Sequence, residues 1–125
     1  MASLRKLFES LSRTPEQVRD QNLRRWTQSV QGTTPISEVE PRCRFKTAGV
    51  IQNLRIDPGR GGGSVDATII DGTGQMVVRW LGRSRLSGIR LGMGLIIEGI
   101  AAAGEGDECV ILNPEYQLVS GPEHG

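Results

Sequence analysis

The sequence is short of the residues on which most enzyme and metal chemistry depends. It has one histidine, His124, and two cysteines, Cys43 and Cys109. No serine–histidine or cysteine–histidine arrangement for nucleophilic catalysis is present. Neither cysteine has a second cysteine or a histidine at metal-ligand spacing, so no zinc site is expected. Two distant cysteines fit a reduced, intracellular chain, expected to be cytoplasmic. No apolar run approaches the ~18 residues of a membrane span, and no signal-peptide core is seen, so no membrane partner is expected. The glycine run Gly59-Arg60-Gly61-Gly62-Gly63-Ser64 lacks the Gly-Lys-Ser/Thr and the following helix of a phosphate loop. Asp66 and Asp71 fall on opposite faces of a regular strand and make no catalytic pair. No catalytic residue, metal or cofactor is assigned, and no enzyme is expected.

Aromatics are scarce as well. Phe8, Trp26, Phe45, Trp80 and Tyr116 are the whole set, at 4% of the chain. That leaves few flat surfaces on which unpaired bases could stack. Lysine is nearly absent: of 15 basic residues only Lys6 and Lys46 are lysines, and the others are arginines. Arginine suits planar, bidentate contact with phosphates and base edges, although a GC-rich genome enriches it too.

At 125 residues the chain makes one domain with a small appendage. Its net charge of +1 is not that of a polycation, but the charges are segregated. Residues 78–90 hold Arg79, Arg83, Arg85 and Arg90 and no acid, for +4. Residues 103–125 hold five acids and no lysine or arginine, for −5, and residues 1–31 sum to +3.

The clearest local pattern runs from Val65 to Leu81. Two β-rich runs flank Asp71-Gly72-Thr73-Gly74, a strong hairpin signal because glycine supplies positive φ at the turn. Alternation places Val65, Ala67 and Ile69 with Met76, Val78 and Trp80 on a buried face. Asp66, Thr68, Val77 and Arg79 point the other way. Upstream, Leu4, Leu7, Phe8 and Leu11 have helical spacing over Ala2 to Leu11. Thr14-Pro15-Glu16 starts a second helix, expected from Pro15 to about Val30. Its apolar face (Val18, Leu23, Trp26, Val30) is thin, so it is expected to dock loosely or not at all. A first strand spans Arg42 to Ile56, where Gly49 marks a bend or bulge. Residues 82–90 read as an irregular connector. A fourth β-run covers Leu95 to Ala101, and 103–107 form a turn. A fifth run, Glu108 to Val119, is bent or at an edge at Asn113-Pro114, because proline donates nothing to a ladder. Residues 120–125 are a tail.

Five short β-runs with the longest gap after the third are the layout of an OB-fold. The expected fold class is therefore all-β: a five-stranded OB-fold barrel (34–119) with a short helical N-terminal extension (1–33). Phe45-x-Thr47-x-Gly49-x-Ile51, Arg55, the Asp71-Gly72-Thr73-Gly74 turn and Met76-x-Val78 resemble the anticodon-binding type of OB-fold. That group includes the N-terminal domains of aspartyl- and lysyl-tRNA synthetases and the wedge domain of a branched-DNA helicase. Val77-Val78-Arg79-Trp80-Leu81-Gly82-Arg83 and Asn113-Pro114-x-Tyr116 are similar to short actinobacterial OB-fold proteins, which implies a bacterial nucleic-acid-binding module. The synthetase members carry an aromatic on strand 2 where this chain has Asp66, a departure that weighs against sequence-specific base reading.

OB-fold ligands lie across strands 2 and 3, between the 1–2 and 4–5 loops. The candidate nucleic-acid-binding residues are accordingly Arg55, Arg60, Thr68, Val77, Arg79, Leu81, Arg83, Arg85 and Arg90. The expected partner is single-stranded or structured DNA or RNA, bound mainly through phosphates. The rival expectation is a protein-interaction OB-fold. It would use Ile70, Val77 and Leu81 as an apolar patch, with the N-terminal helices as a contact or homo-oligomer element.

Overall fold

Strand β1 (Arg44–Asp57) is the member that closes the sheet, because it serves two neighbours. The computed structural model describes residues 14–83, 85–103 and 109–122. The first half of β1 pairs with β4 (Gly94–Ala103), from Arg44 opposite Ile100 to Val50 opposite Gly94. Its second half pairs with β2 (Ser64–Ile70), from Val50 opposite Ile70 to Asp57 opposite Ser64. The register slips between Ile51 and Asn53, where the strand turns from one neighbour to the other. Gly49 lies just before this bend, and a Cβ there would stand 2.9 Å from Ile69 Cβ. The expected bend is therefore real, and only glycine fits it without movement.

β3 (Gln75–Leu81) follows β2 through the four-residue turn, with Ile70 opposite Gln75 and Ser64 opposite Leu81. β3 then pairs in parallel with β5 (Cys109–Leu112), which pairs antiparallel with β4, so the ring closes. The expected fifth run is split in two. Asn113, at φ 46°, and Pro114 separate β5 from β6 (Glu115–Val119), and both pieces lie along β4. The result is a five-stranded barrel whose last strand is broken.

The alternation across the hairpin holds rung by rung. Val65, Ala67, Ile69, Met76, Val78 and Trp80 are all at most 3% exposed. Ile51, Leu95, Ile97 and Ile111 fill the same interior, and Leu86 from the 82–93 connector joins them. Each buried valine, leucine, isoleucine or methionine among them contributes roughly 1.5–3 kcal/mol by leaving water.

One helix is described, α1 (Pro15–Gln28). Thr14 and Gln17 form a capping box over its first turn, as Thr14-Pro15-Glu16 led one to expect. Its docking is firmer than its thin apolar face suggested. Leu23 is 5% exposed, the Trp26 ring lies against Gly94, and Arg24 Nε donates to the Gly72 carbonyl at 2.9 Å. Two glycines of the barrel supply flat backbone for the helix to approach, so few apolar side chains suffice. The helix expected over Ala2 to Leu11 lies outside the described residues, as do residues 104–107 of the turn expected over 103–107 and residues 123–125; Ala103 itself ends β4.

The segment joining α1 to β1 is pinned by Asp71. This residue is 1% exposed, and its carboxylate accepts from the backbone N–H of Ile36 (2.8 Å), Thr73 (2.8 Å) and Gly74 (3.1 Å) and from the Thr73 hydroxyl (2.7 Å). Asp71 is thus more than a turn former: it ties the pre-barrel segment to the hairpin.

Candidate functional site

The outer face of β1, β2 and β3 is built from three rungs. Asn53, Thr68 and Val77 stand side by side, then Arg55, Asp66 and Arg79, then Asp57, Ser64 and Leu81. All are half-buried or exposed. The unbroken β2–β3 register fixes this: with Ile70 opposite Gln75, every even-numbered residue of β2 faces out.

The middle rung carries the strongest polar geometry. Arg79 Nε and Nη2 donate to the two carboxylate oxygens of Asp66 at 3.0 and 3.1 Å. Their side chains are 37% and 20% exposed, so the pair sits half-sunk in the sheet surface. With Arg55, Asp57 and Ser64 they line a polar depression of about 210 Å³.

Five of the candidate residues (Arg55, Thr68, Val77, Arg79 and Leu81) come together on this face. Arg60 lies in the β1–β2 loop at its edge. Arg83 is exposed just after Gly82, whose N–H donates to the Gly63 carbonyl of that loop at 2.8 Å, so it stands at the same end of the barrel. Arg85 is exposed on the connector. Arg90 is not brought to the face. It precedes Gly92 and Met93, which exchange backbone hydrogen bonds of 2.9 Å with Ile51 at the hairpin-turn end. Other arginines serve elsewhere: Arg24 on Gly72, and Arg44 beside Glu98 at 3.5 Å.

Trp80 lies in the core at 3% exposure, as the unbulged register requires, and so offers no stacking platform on the outer face. Its ring meets Tyr116 edge-on at 5.2 Å, and its buried indole N–H has no hydrogen-bond partner among the described residues. Burial pushes the Cys109 thiol pKa upward, which keeps it a poor nucleophile. Among the described residues no group of three His, Cys, Asp or Glu could hold a metal, and no helix is long and apolar enough to cross a membrane.

Two features escaped the sequence reading. The first is an apolar strip beside the rungs. Leu112 is opposite Arg79 across the parallel β3–β5 pairing, and Ile100 is one rung beyond the Ala101–Ile111 pair. With Leu81 they are 45%, 56% and 50% exposed. The second is Asn113, which clamps β3 to β5. Its N–H donates to the Arg79 carbonyl at 2.8 Å and its side-chain oxygen accepts from Leu81 N–H at 2.9 Å.

A five-stranded barrel closed in this order, with a parallel β3–β5 contact, defines the OB-fold class. Solved structures agree. An OBody, AM3L09, bound to hen egg-white lysozyme matches with TM-score 0.54 and 18% identity over 73% of this chain and 97% of that one. RecG bound to a three-way DNA junction matches with TM-score 0.54 and 16% identity over 74% of this chain and 13% of RecG. The OB domain of MM0293 from Methanosarcina mazei gives TM-score 0.53 and 15% identity, over 73% and 85%. No family model and no curated protein matches the sequence. At these identities the likeness is one of fold, and function has to be argued from the face itself.

Proposed function

We propose that this chain is a non-enzymatic OB-fold module that binds nucleic acid, single-stranded or structured, on the outer face of β1–β3 and the loops beside it. The observation that carries the reading is the open face with Arg55 and Arg79 one strand apart on each side of Asp66, and Arg83 at the loop end. Guanidinium groups along an uncovered sheet suit a phosphate backbone, whose condensed counterions they displace. RecG, 13% of which matches this chain, was solved bound to a three-way DNA junction. The similarity of Trp80-Leu81-Gly82-Arg83 to short actinobacterial OB-fold proteins points the same way. With no aromatic on the face, contact is chiefly with phosphate and sugar, so little sequence preference is expected.

Fluorescence anisotropy of labelled single-stranded DNA and RNA at two salt concentrations tests this. Binding at low salt that weakens as salt rises is the expected result. Absent binding, or binding indifferent to salt, rejects it.

A second reading, a protein-docking module, is favoured by the strip of Leu81, Leu112 and Ile100, three exposed apolar side chains on neighbouring strands. An OBody bound to lysozyme is a protein complex of the same fold. A partner captured by the chain after nuclease treatment, and lost on Leu112→Ser, would favour this reading over the first.

A further inference from the structure

We infer that Asp66 is a built-in competitor for the anion and thereby the residue that sets how strongly the face takes up a polyanion. The inference rests on the nucleic-acid reading above and concerns how that site discriminates.

A phosphate engages arginine best through two parallel N–H···O bonds to one edge of the guanidinium. On Arg79 the Nε–Nη2 edge is already taken in that manner by both oxygens of Asp66. The carboxylate therefore stands where a phosphate would stand. Its side chain is only 20% exposed, so bulk ions screen it less than they would a carboxylate on a flexible surface arm. The depression around it holds two guanidinium groups, Arg55 and Arg79, and two carboxylates, Asp57 and Asp66. The centre of the face is electrically balanced as built. A polyanion crossing the middle rung must either exchange with Asp66 for the Arg79 edge or settle beside a fixed negative charge.

The residue type fits this role better than a purely structural one. Cross-strand partners in the rungs on each side, Thr68 with Val77 and Ser64 with Leu81, hold the hairpin with no charge pair. The core beneath them is built of hydrophobic side chains and holds no charged group.

The test is oligothymidylate binding by Asp66→Asn, measured by anisotropy across a salt series, beside the native chain and Glu38→Gln. Glu38 is exposed in the short turn before β1, away from the face, and its substitution raises net charge by the same amount. Asp66→Asn should tighten binding about fivefold at low salt and make the slope of log K against log salt steeper by about one, while Glu38→Gln changes neither. A merely structural role for Asp66 would not steepen the slope. Should Asp66→Asn not fold, Asp66→Ser keeps the test open. Unchanged or weaker binding by the Asp66 variants, or equal tightening by Glu38→Gln, overturns the inference while native binding leaves the functional reading standing. Binding only by the Asp66 variants supports the inference and rejects the reading for the native chain. No binding by any of them overturns both.

Discussion

Two aspartates of the same hairpin, Asp66 and Asp71, are spent in opposite ways. At the turn, Asp71 is enclosed and accepts four hydrogen bonds, three of them from backbone N–H groups. On the open face, Asp66 is held by one arginine side chain and stays in contact with solvent. The first holds the architecture together and has no group left for a ligand. The second forms an arrangement that an incoming anion can rearrange. Residue type does not separate them; enclosure and the kind of donor do. A backbone N–H cannot leave its acceptor without moving the chain, whereas a guanidinium can swing between acceptors.

The sharpest way to break the comparison is to remove each carboxylate in turn. Asp71→Ala leaves several donors at a buried site unsatisfied and should cost about 3 kcal/mol, a fall of about 10 °C in melting temperature. Asp66→Asn, by contrast, should change stability by less than about 1 kcal/mol, because the half-exposed Arg79 keeps an amide oxygen as acceptor. Urea and thermal unfolding of both variants decide the matter. Equal losses would mean that Asp66 is structural after all. Next in size comes Gly49→Ala. Its Cβ would stand 2.9 Å from Ile69 Cβ and 3.1 Å from the Ile70 carbonyl, so about 2 kcal/mol of stability should be lost. A neutral Gly49→Ala would show that the bend yields readily.

How much of this was legible follows from how local each signal is. The hairpin's two faces were readable because period-2 alternation needs only neighbours in sequence, and burial of Val65 through Trp80 matches it. The break in the last strand was readable from Asn113-Pro114, since proline removes a ladder donor. The docking of α1 was not. Its anchors, Gly72 and Gly94, lie dozens of residues away, and glycine carries no hydrophobic signal. The Asp66–Arg79 pair is instructive because its signal was present. Counting outward from the Ile70–Gln75 pair puts Asp66 opposite Arg79. Summing charges over 78–90 treated Arg79 as unengaged, whereas the register already supplied a carboxylate. Arg90 escaped for another reason: the path of an irregular connector is set by tertiary contacts with Ile51, which no local pattern encodes.

That last distinction gives the smallest and most discriminating prediction. Arg83 and Arg90 are equivalent by composition, both exposed arginines of one connector. The fold separates them: Arg83 follows Gly82, bonded to the β1–β2 loop, while Arg90 turns into the Met93 segment bonded to Ile51. If the ligand follows the outer face toward the loops, Arg83→Ala removes one phosphate contact. Affinity should then fall about fivefold for every sequence tested, and the salt slope should become shallower by about one. Arg90→Ala removes the same charge from the same connector and should leave both quantities unchanged. Anisotropy titrations of the two variants against one labelled strand make the comparison direct, because net charge is identical in each. Equal losses would mean that the connector acts only as a diffuse positive field. A loss confined to Arg90→Ala would move the ligand to the hairpin-turn end, where Asp71 and α1 already occupy the polar backbone.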